Sequence, residues 1–133
     1  MSTFIDKLAL LVVLDGRLLA VRSQGKTLFY APGGKREAGE TDAEALIREI
    51  DEELAVTLHT DSLQHAVTLS AQADGKPAGV QVRLTCYTAE FSGTPTPAAE
   101  IAELRWVGPA DRAICSPALL LVMDWLQQQG LLS

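Results

Sequence analysis

The chain has little of what marks several specialised protein classes. Its two cysteines, Cys86 and Cys115, form neither a CxxC pair nor any metal-ligand spacing, which excludes a zinc module or a dithiol redox motif. No apolar run approaches the roughly 20 residues that a membrane-spanning helix needs. The stretch Leu8 to Leu14 stops at Asp15-Gly16 and lacks the small-residue cleavage pattern of a secretory leader. Basic residues are in the minority, 11 Lys and Arg against 17 Asp and Glu, for a net charge of -6 and a pI near 4.8. That balance argues against a nucleic-acid backbone or an anionic membrane as partner. A small anion remains admissible, because bound metal ions can invert a local field. His59 and His65 have no partner spacing, and there is no internal repeat or low-complexity tract. What remains is a chain expected in the cytoplasm, with 47% apolar residues to build a core and one domain expected over residues 1–133.

The pattern predicts strands first. Lys7 to Leu14 is rich in leucine and valine, as in a strand covered on both faces. Asp15-Gly16 between this run and Arg17 to Arg22 is a strong hairpin signal. Ser23 to Thr27 is a polar loop, and Leu28 to Ala31 a short strand stopped by Pro32-Gly33-Gly34. Thr41 to Leu54 is the clearest helix. Thr41 and Glu44 have capping-box spacing, and Ala43, Leu46, Ile47, Ile50 and Leu54 form one apolar stripe. One or two strands are expected over 56–73 and a long one from Val80 to about Phe91. A short strand over Glu103 to Val107 follows, and then a closing helix from Leu119 to Gln129 behind the Ser116-Pro117 cap. This order predicts an α+β fold, a mixed sheet with helices on its faces.

The chemistry concentrates in Gly33 to Val56. Glu49, Glu52 and Glu53 are three and four residues apart, so a helix brings their side chains to one neighbourhood. Their mutual repulsion calls for a counter-charge, and all-oxygen ligands suit a hard ion, Mg2+ or Mn2+. Gly33-Gly34 lets main-chain N–H groups approach a phosphate or ion closely. Lys35 and Arg22 are candidate phosphate contacts, and Arg48 can hold carboxylate geometry by paired hydrogen bonds. A water beside a carboxylate base would then attack phosphorus. Each piece has an ordinary reading as well: a Glu-rich helix face is usually solvated, and Gly-Gly after proline is usually a turn. Tyr30, Phe29 and Trp106 could stack on a base or belong to the core.

The combination Gly34-x5-Glu40-x7-Arg48-Glu49-Ile50-x-Glu52-Glu53-x-Ala55-Val56 resembles the Nudix box, G-x5-E-x7-R-E-U-x-E-E-x-G-U, where U is a bulky aliphatic residue. The one departure is Ala55 in place of glycine, just past the helix, where glycine serves as a left-handed cap. The resemblance implies the Nudix α/β/α sandwich and hydrolysis of a nucleoside diphosphate linked to a group X, with Mg2+ or Mn2+. It implies Glu52 and Glu53 as principal metal ligands and Glu49 as a further ligand or the general base. Gly33 joins the candidate metal set, and Glu40 binds metal through water or orients the loop. Arg48 is implied as a partner of the carboxylates and Gly34 as the source of the loop conformation. Some members draw a base or ligand from a later loop; here Glu100 comes first and Glu103 second. Arg22, Gly34, Lys35 and Tyr30 make up the expected substrate contacts.

The expected substrate is a nucleoside or deoxynucleoside triphosphate, cleaved to monophosphate and pyrophosphate. The alternatives are a nucleotide sugar, a dinucleoside polyphosphate, or a nucleotide-sensing domain without turnover. No polymeric nucleic acid, mRNA included, and no membrane is expected as partner. The state expected is a monomer or homodimer.

Overall fold

A computed structural model describes residues 3–133. The leucine-rich start forms β1 (Thr3–Leu10) and the two-residue β2 (Val13–Leu14), followed by β3 (Arg17–Ser23). Asp15 and Gly16 both take positive φ, 53° and 75°, as the tight hairpin between β2 and β3 demands. After β3 come β4 (Gly33–Gly34), α1 (Asp42–Leu54) and β5 (Thr57–Leu58). The chain continues through β6 (Gln64–Gln72), β7 (Val80–Thr88), β8 (Phe91–Ser92), β9 (Ile101–Val107) and α2 (Pro117–Gln128). The expected strand over Leu28 to Ala31 is reduced to isolated bridges from Phe29 to Cys115 and from Tyr30 to Val21.

Four strands form a mixed sheet in the order β4-β1-β7-β6, with β1 and β7 parallel and the other pairs antiparallel. A second sheet runs β2-β3-β9, and β5 pairs with β8. Alternation along the strands explains why the first apolar run is continuous. Ala9 and Leu11 of the β1 region, with Leu18 and Ala20 of β3, pack with Leu119, Val122, Met123 and Leu126 of α2. Their neighbours Leu8, Leu10, Leu19 and Val21 pack with Ala45, Leu46, Ile50 and Leu54 of α1. Both faces are covered, so this is the α+β arrangement of sheets between two helices. Each buried leucine contributes on the order of 2 kcal/mol relative to exposure. Trp125 packs half-buried against the α2-side cluster, and Phe29 is buried within it.

Helix α1 starts as its sequence dictates. The Thr41 side chain accepts the Glu44 N–H at 3.1 Å while the Glu44 carboxylate accepts the Thr41 N–H at 3.0 Å, a complete capping box. It ends at Ala55 in the left-handed region, φ 57° and ψ 35°, the conformation glycine would adopt without strain. The buried face is rotated from the expected stripe. Ala45 and Glu53 are buried beside Leu46, Ile50 and Leu54, while Ala43 and Ile47 are only half-buried. The helix faces β1 and β4 as well as β5, and this widens its contact on the Ala45–Glu53 side. The irregular loop 93–99 closes its C-terminal end: the Ala98 N–H donates to the Glu53 carbonyl at 3.0 Å and the Thr96 N–H to the Leu54 carbonyl at 2.9 Å.

Candidate active site

The site is built on the contact between α1 and β4. β4 pairs with Leu8 and Ala9 so closely that a side chain on Gly33 would lie 1.9 Å from the Leu8 carbonyl oxygen. Gly33 also has φ 147°, so two constraints demand glycine there. Gly34 is glycine for another reason: a Cβ on it would lie 2.5 Å from the Glu49 carboxyl carbon. The two glycines thus bring main chain against the carboxylates of α1.

Glu53 is the central group. It is buried, 7% exposed, and its carboxylate receives one hydrogen bond, from the Gly33 N–H at 3.0 Å. Burial pushes its pKa up to about 8; the Gly33 bond opposes this, and the charges of Glu49 and Glu100 add to it. Glu49 and Glu100 line the same cavity, of about 470 Å3, together with Gly33, Gly34, Lys35 and Tyr30. The Gly33 N–H is therefore spent on Glu53 rather than aimed at a ligand.

Arg48 ties Glu49 of the cavity to the carboxylates outside it. Its Nε and Nη2 donate to the two oxygens of Glu40, both at 2.8 Å, and its Nη1 donates to Glu49 Oε1 at 2.8 Å. Nη2 also reaches the Lys35 carbonyl at 3.1 Å, and Glu52 lies 3.6 Å from Nη1. Glu40 further accepts the Glu37 N–H at 2.7 Å. The Arg48 bonds, with that N–H, hold the Glu40 carboxyl down to about 2. Both Glu40 oxygens are thus engaged, by Arg48 and by the main chain of the loop 35–40. Arg48 is a brace for Glu49 and Glu40.

The expected residues therefore divide. Glu49, Glu53, Gly33, Gly34, Lys35, Tyr30 and Glu100 meet at one cavity. Glu52 does not join them; it lies half-exposed on the outer side of α1 beside Arg48. Among the described residues no three His, Cys, Asp or Glu are gathered as a ready metal cluster, so the convergence expected of Glu49, Glu52 and Glu53 is divided between the cavity and Arg48. Arg22 does not line the cavity either. Its Nε donates to Glu103 at 3.2 Å and its Nη1 to the Lys26 carbonyl at 3.0 Å. That pairing also occupies Glu103 and leaves Glu100 as the loop acid facing Glu53. Trp106 stands on β9, partly exposed, away from the cavity lining.

Sequence reasoning missed Lys7, Lys26, Lys76 and Asp74, which also line the cavity. The one signal was alternation: Lys7 shares a strand face with Ile5 and Ala9. Tyr30 donates its hydroxyl to Asp74 of the β6–β7 turn. Burial, with that bond, raises the phenol to about 12.

The donor set suits a hard divalent cation. Glu49, Glu53 and Glu100 line one cavity and offer only oxygen donors, and the most buried of them, Glu53, is held by a single main-chain N–H among the described residues.

Comparison with known proteins identifies the family. The family model described as NUDIX domain matches residues 7–120. None of the curated proteins matches the chain. Among solved structures, the chain is similar to a NUDIX hydrolase from Nitrosomonas europaea, with TM-score 0.73 and 15% identity over 98% of this chain and 91% of that one. It is also similar to a MutT NUDIX hydrolase from Burkholderia pseudomallei, with TM-score 0.71 and 22% identity over 92% and 98%. A UDP-X diphosphatase shares the fold at TM-score 0.66 and 18% identity, over 98% of this chain and 65% of that one. With the NUDIX model spanning residues 7–120, and the loop and helix that place Glu53 among them, this protein belongs to the Nudix family of hydrolases.

Proposed function

We propose that the protein is a divalent-metal-dependent pyrophosphohydrolase of small nucleotides, cleaving a nucleoside or deoxynucleoside triphosphate to the monophosphate and pyrophosphate. The observation that carries this reading is Glu53: a carboxylate buried at the foot of a cavity, facing Glu49 and Glu100, with a single N–H as partner. Glu49 and Glu53 of α1, with Glu100 from the loop, would hold Mg2+ or Mn2+ in the cavity, and Glu52, outside it beside Arg48, would have to turn away from that arginine to join them. When bound, the ion would neutralise charge developing on the pyrophosphate oxygens and acidify water.

The chain's own groups supply the rest. Gly33 and Gly34 keep the cavity floor free of side chains, and Arg48 fixes the Glu49 carboxylate toward it. A carboxylate, Glu49 first and Glu100 second, takes the proton from the attacking water as the new O–P bond forms. The bridging P–O bond breaks and its electrons leave with the departing phosphate group. Lys35 and Tyr30 flank the substrate. The whole of residues 1–133 acts as one domain, as a monomer or homodimer. A reducing cytoplasmic setting agrees with two buried free thiols. Among the described residues no helix is long and apolar enough to cross a membrane.

Hydrolysis of an NDP-X compound such as a nucleotide sugar is the second reading, favoured by the fold shared with UDP-X diphosphatase. Release of phosphate or pyrophosphate from a panel of nucleoside triphosphates, nucleotide sugars and dinucleoside polyphosphates with Mg2+ tests both. Turnover of triphosphates above the rest is the expected result. Binding without turnover of any member would replace hydrolysis with a sensing role.

A further inference from the structure

The basic residues divide by type. Six of the seven arginines are ion-paired: Arg17 with Asp111, Arg22 with Glu103, Arg36 with Asp42, Arg48 with Glu40 and Glu49, Arg83 with Asp6 and Arg112 with Asp124. The seventh, Arg105, lies over the Phe29 ring. All four lysines, Lys7, Lys26, Lys35 and Lys76, line the one cavity. Among the described residues none of them forms an ion pair with a carboxylate.

The lysines also feel one another. Burial, and next the Lys35 ammonium, push Lys7 below the ordinary lysine range, with Lys26 and Lys76 adding to the effect and Glu53 opposing it. Their main chains are fixed while their ammonium groups are unengaged. Lys7 sits in the β1 ladder opposite Leu84, and the Lys26 carbonyl accepts from Arg22. The Lys35 carbonyl accepts from Arg48, and the Lys76 carbonyl accepts from the Gln72 amide at 3.3 Å. The acids of the cavity do not cancel this charge by contact. Glu49 is held by Arg48, Glu53 by Gly33 and Asp74 by Tyr30, and Glu100 lies exposed at the rim. Like charges gathered without partners repel, and a ligand of several negative charges relieves the repulsion.

We propose that Lys7, Lys26, Lys35 and Lys76 form a phosphate-chain subsite that selects substrates with three or more linked phosphates over diphosphates capped by a neutral group. This rests on the pyrophosphohydrolase reading and decides between its two substrate classes. A triphosphate carries about two more negative charges at neutral pH than a nucleotide sugar, one from its third phosphate and one because the terminal phosphate ionises a second time near pH 6. Lysine suits the task, since a mobile point charge follows a phosphate chain in any of its conformations. Arg22, by holding the Lys26 carbonyl, positions one member of the set without touching the ligand.

The test is calorimetric binding of two inert inorganic probes, imidodiphosphate and imidotriphosphate, in excess Mg2+. The wild-type chain is expected to bind the longer probe about tenfold more tightly, the worth of one charge-assisted contact. Lys7→Met, Lys26→Met and Lys76→Met should each cut that preference severalfold. Lys26 and Lys76 are exposed, so their variants retain the fold even if Lys7→Met does not. Equal affinity of the wild type for the two probes, or a preference kept in the Lys26 and Lys76 variants, overturns the subsite. In kinetics, Lys76→Met should lower kcat/KM for a triphosphate about threefold more than for the sugar diphosphate of the same nucleoside; equal losses count against selection. If no nucleotide is hydrolysed, the functional reading fails while the probe comparison still decides the subsite.

Discussion

The two walls of the cavity are built on opposite plans. On the α1 wall almost every charged group is held: Arg48 grips Glu40 and Glu49, Gly33 grips Glu53, and a complete capping box fixes the first turn of the helix. Among the described residues the ammonium groups of the cavity's lysines have no carboxylate partner, and hydrogen bonds of their main chain fix their positions. A rigid acidic wall suits chemistry that must be placed to within fractions of an ångström. An adaptable basic wall suits binding of a flexible anion.

If this division holds, changes to the acidic wall alter turnover on every substrate. Glu53→Gln keeps the volume and can still accept the Gly33 N–H, so the fold should survive. Its kcat should fall on the order of 10^3-fold, measured with circular dichroism confirming the fold. An unchanged rate would remove Glu53 from the chemistry.

The glycine pair sharpens the contrast next. Gly33→Ala sets a side chain against the Leu8 carbonyl, which belongs to a strand and cannot yield. Loss of about 3 kcal/mol or more is expected in chemical denaturation. Gly34→Ala meets only the end of the Glu49 side chain, so it should fold and lose activity. A stable Gly33→Ala protein would show that β4 is looser than described.

In metal-free buffer the acidic wall should also weaken as pH rises. The Glu53 pKa rises on folding from its ordinary 4.5 to about 8. Between those values the folded chain binds more protons than the unfolded chain, so stability is lost as pH rises through that window. Glu53→Gln should flatten the slope of stability against pH there, removing about a few kcal/mol of the change in unfolding free energy across the window. The same slope in both proteins would place the titration elsewhere. The smallest effect is expected at Ala55→Gly, which should stabilise the protein by roughly 1 kcal/mol by relieving the left-handed conformation.

The two walls also differ in how they could be read from sequence. The acidic wall is nearly contiguous: Gly33 to Val56 carries its glycines, its cap and its carboxylates at spacings set by one loop and one helix. Helix periodicity did not show that Glu53 turns inward while Glu52 turns toward Arg48. That depends on α1 packing against β4, a contact made through two glycines without side chains. Of the lysines, Lys35 lies in that same segment, while Lys7, Lys26 and Lys76 come from β1, the loop after β3 and the β6–β7 turn, and only the sheet brings these to it. For the same reason Arg22, at the end of β3, was expected to reach phosphate. Register instead pairs it with Glu103 across β9. The fold itself was legible because both faces of β1 and β3 are apolar, a pattern that requires cover on each side.

The claim that joins these observations is that the cavity's carboxylates hold a divalent ion. Mn2+ binding, followed by electron paramagnetic resonance on wild type, Glu49→Gln and Glu53→Gln without substrate, tests it most directly. Saturable binding to the wild type is expected, with affinity at least about tenfold lower in both variants, the loss of one charged ligand. Equal Mn2+ affinity in all three proteins would contradict it.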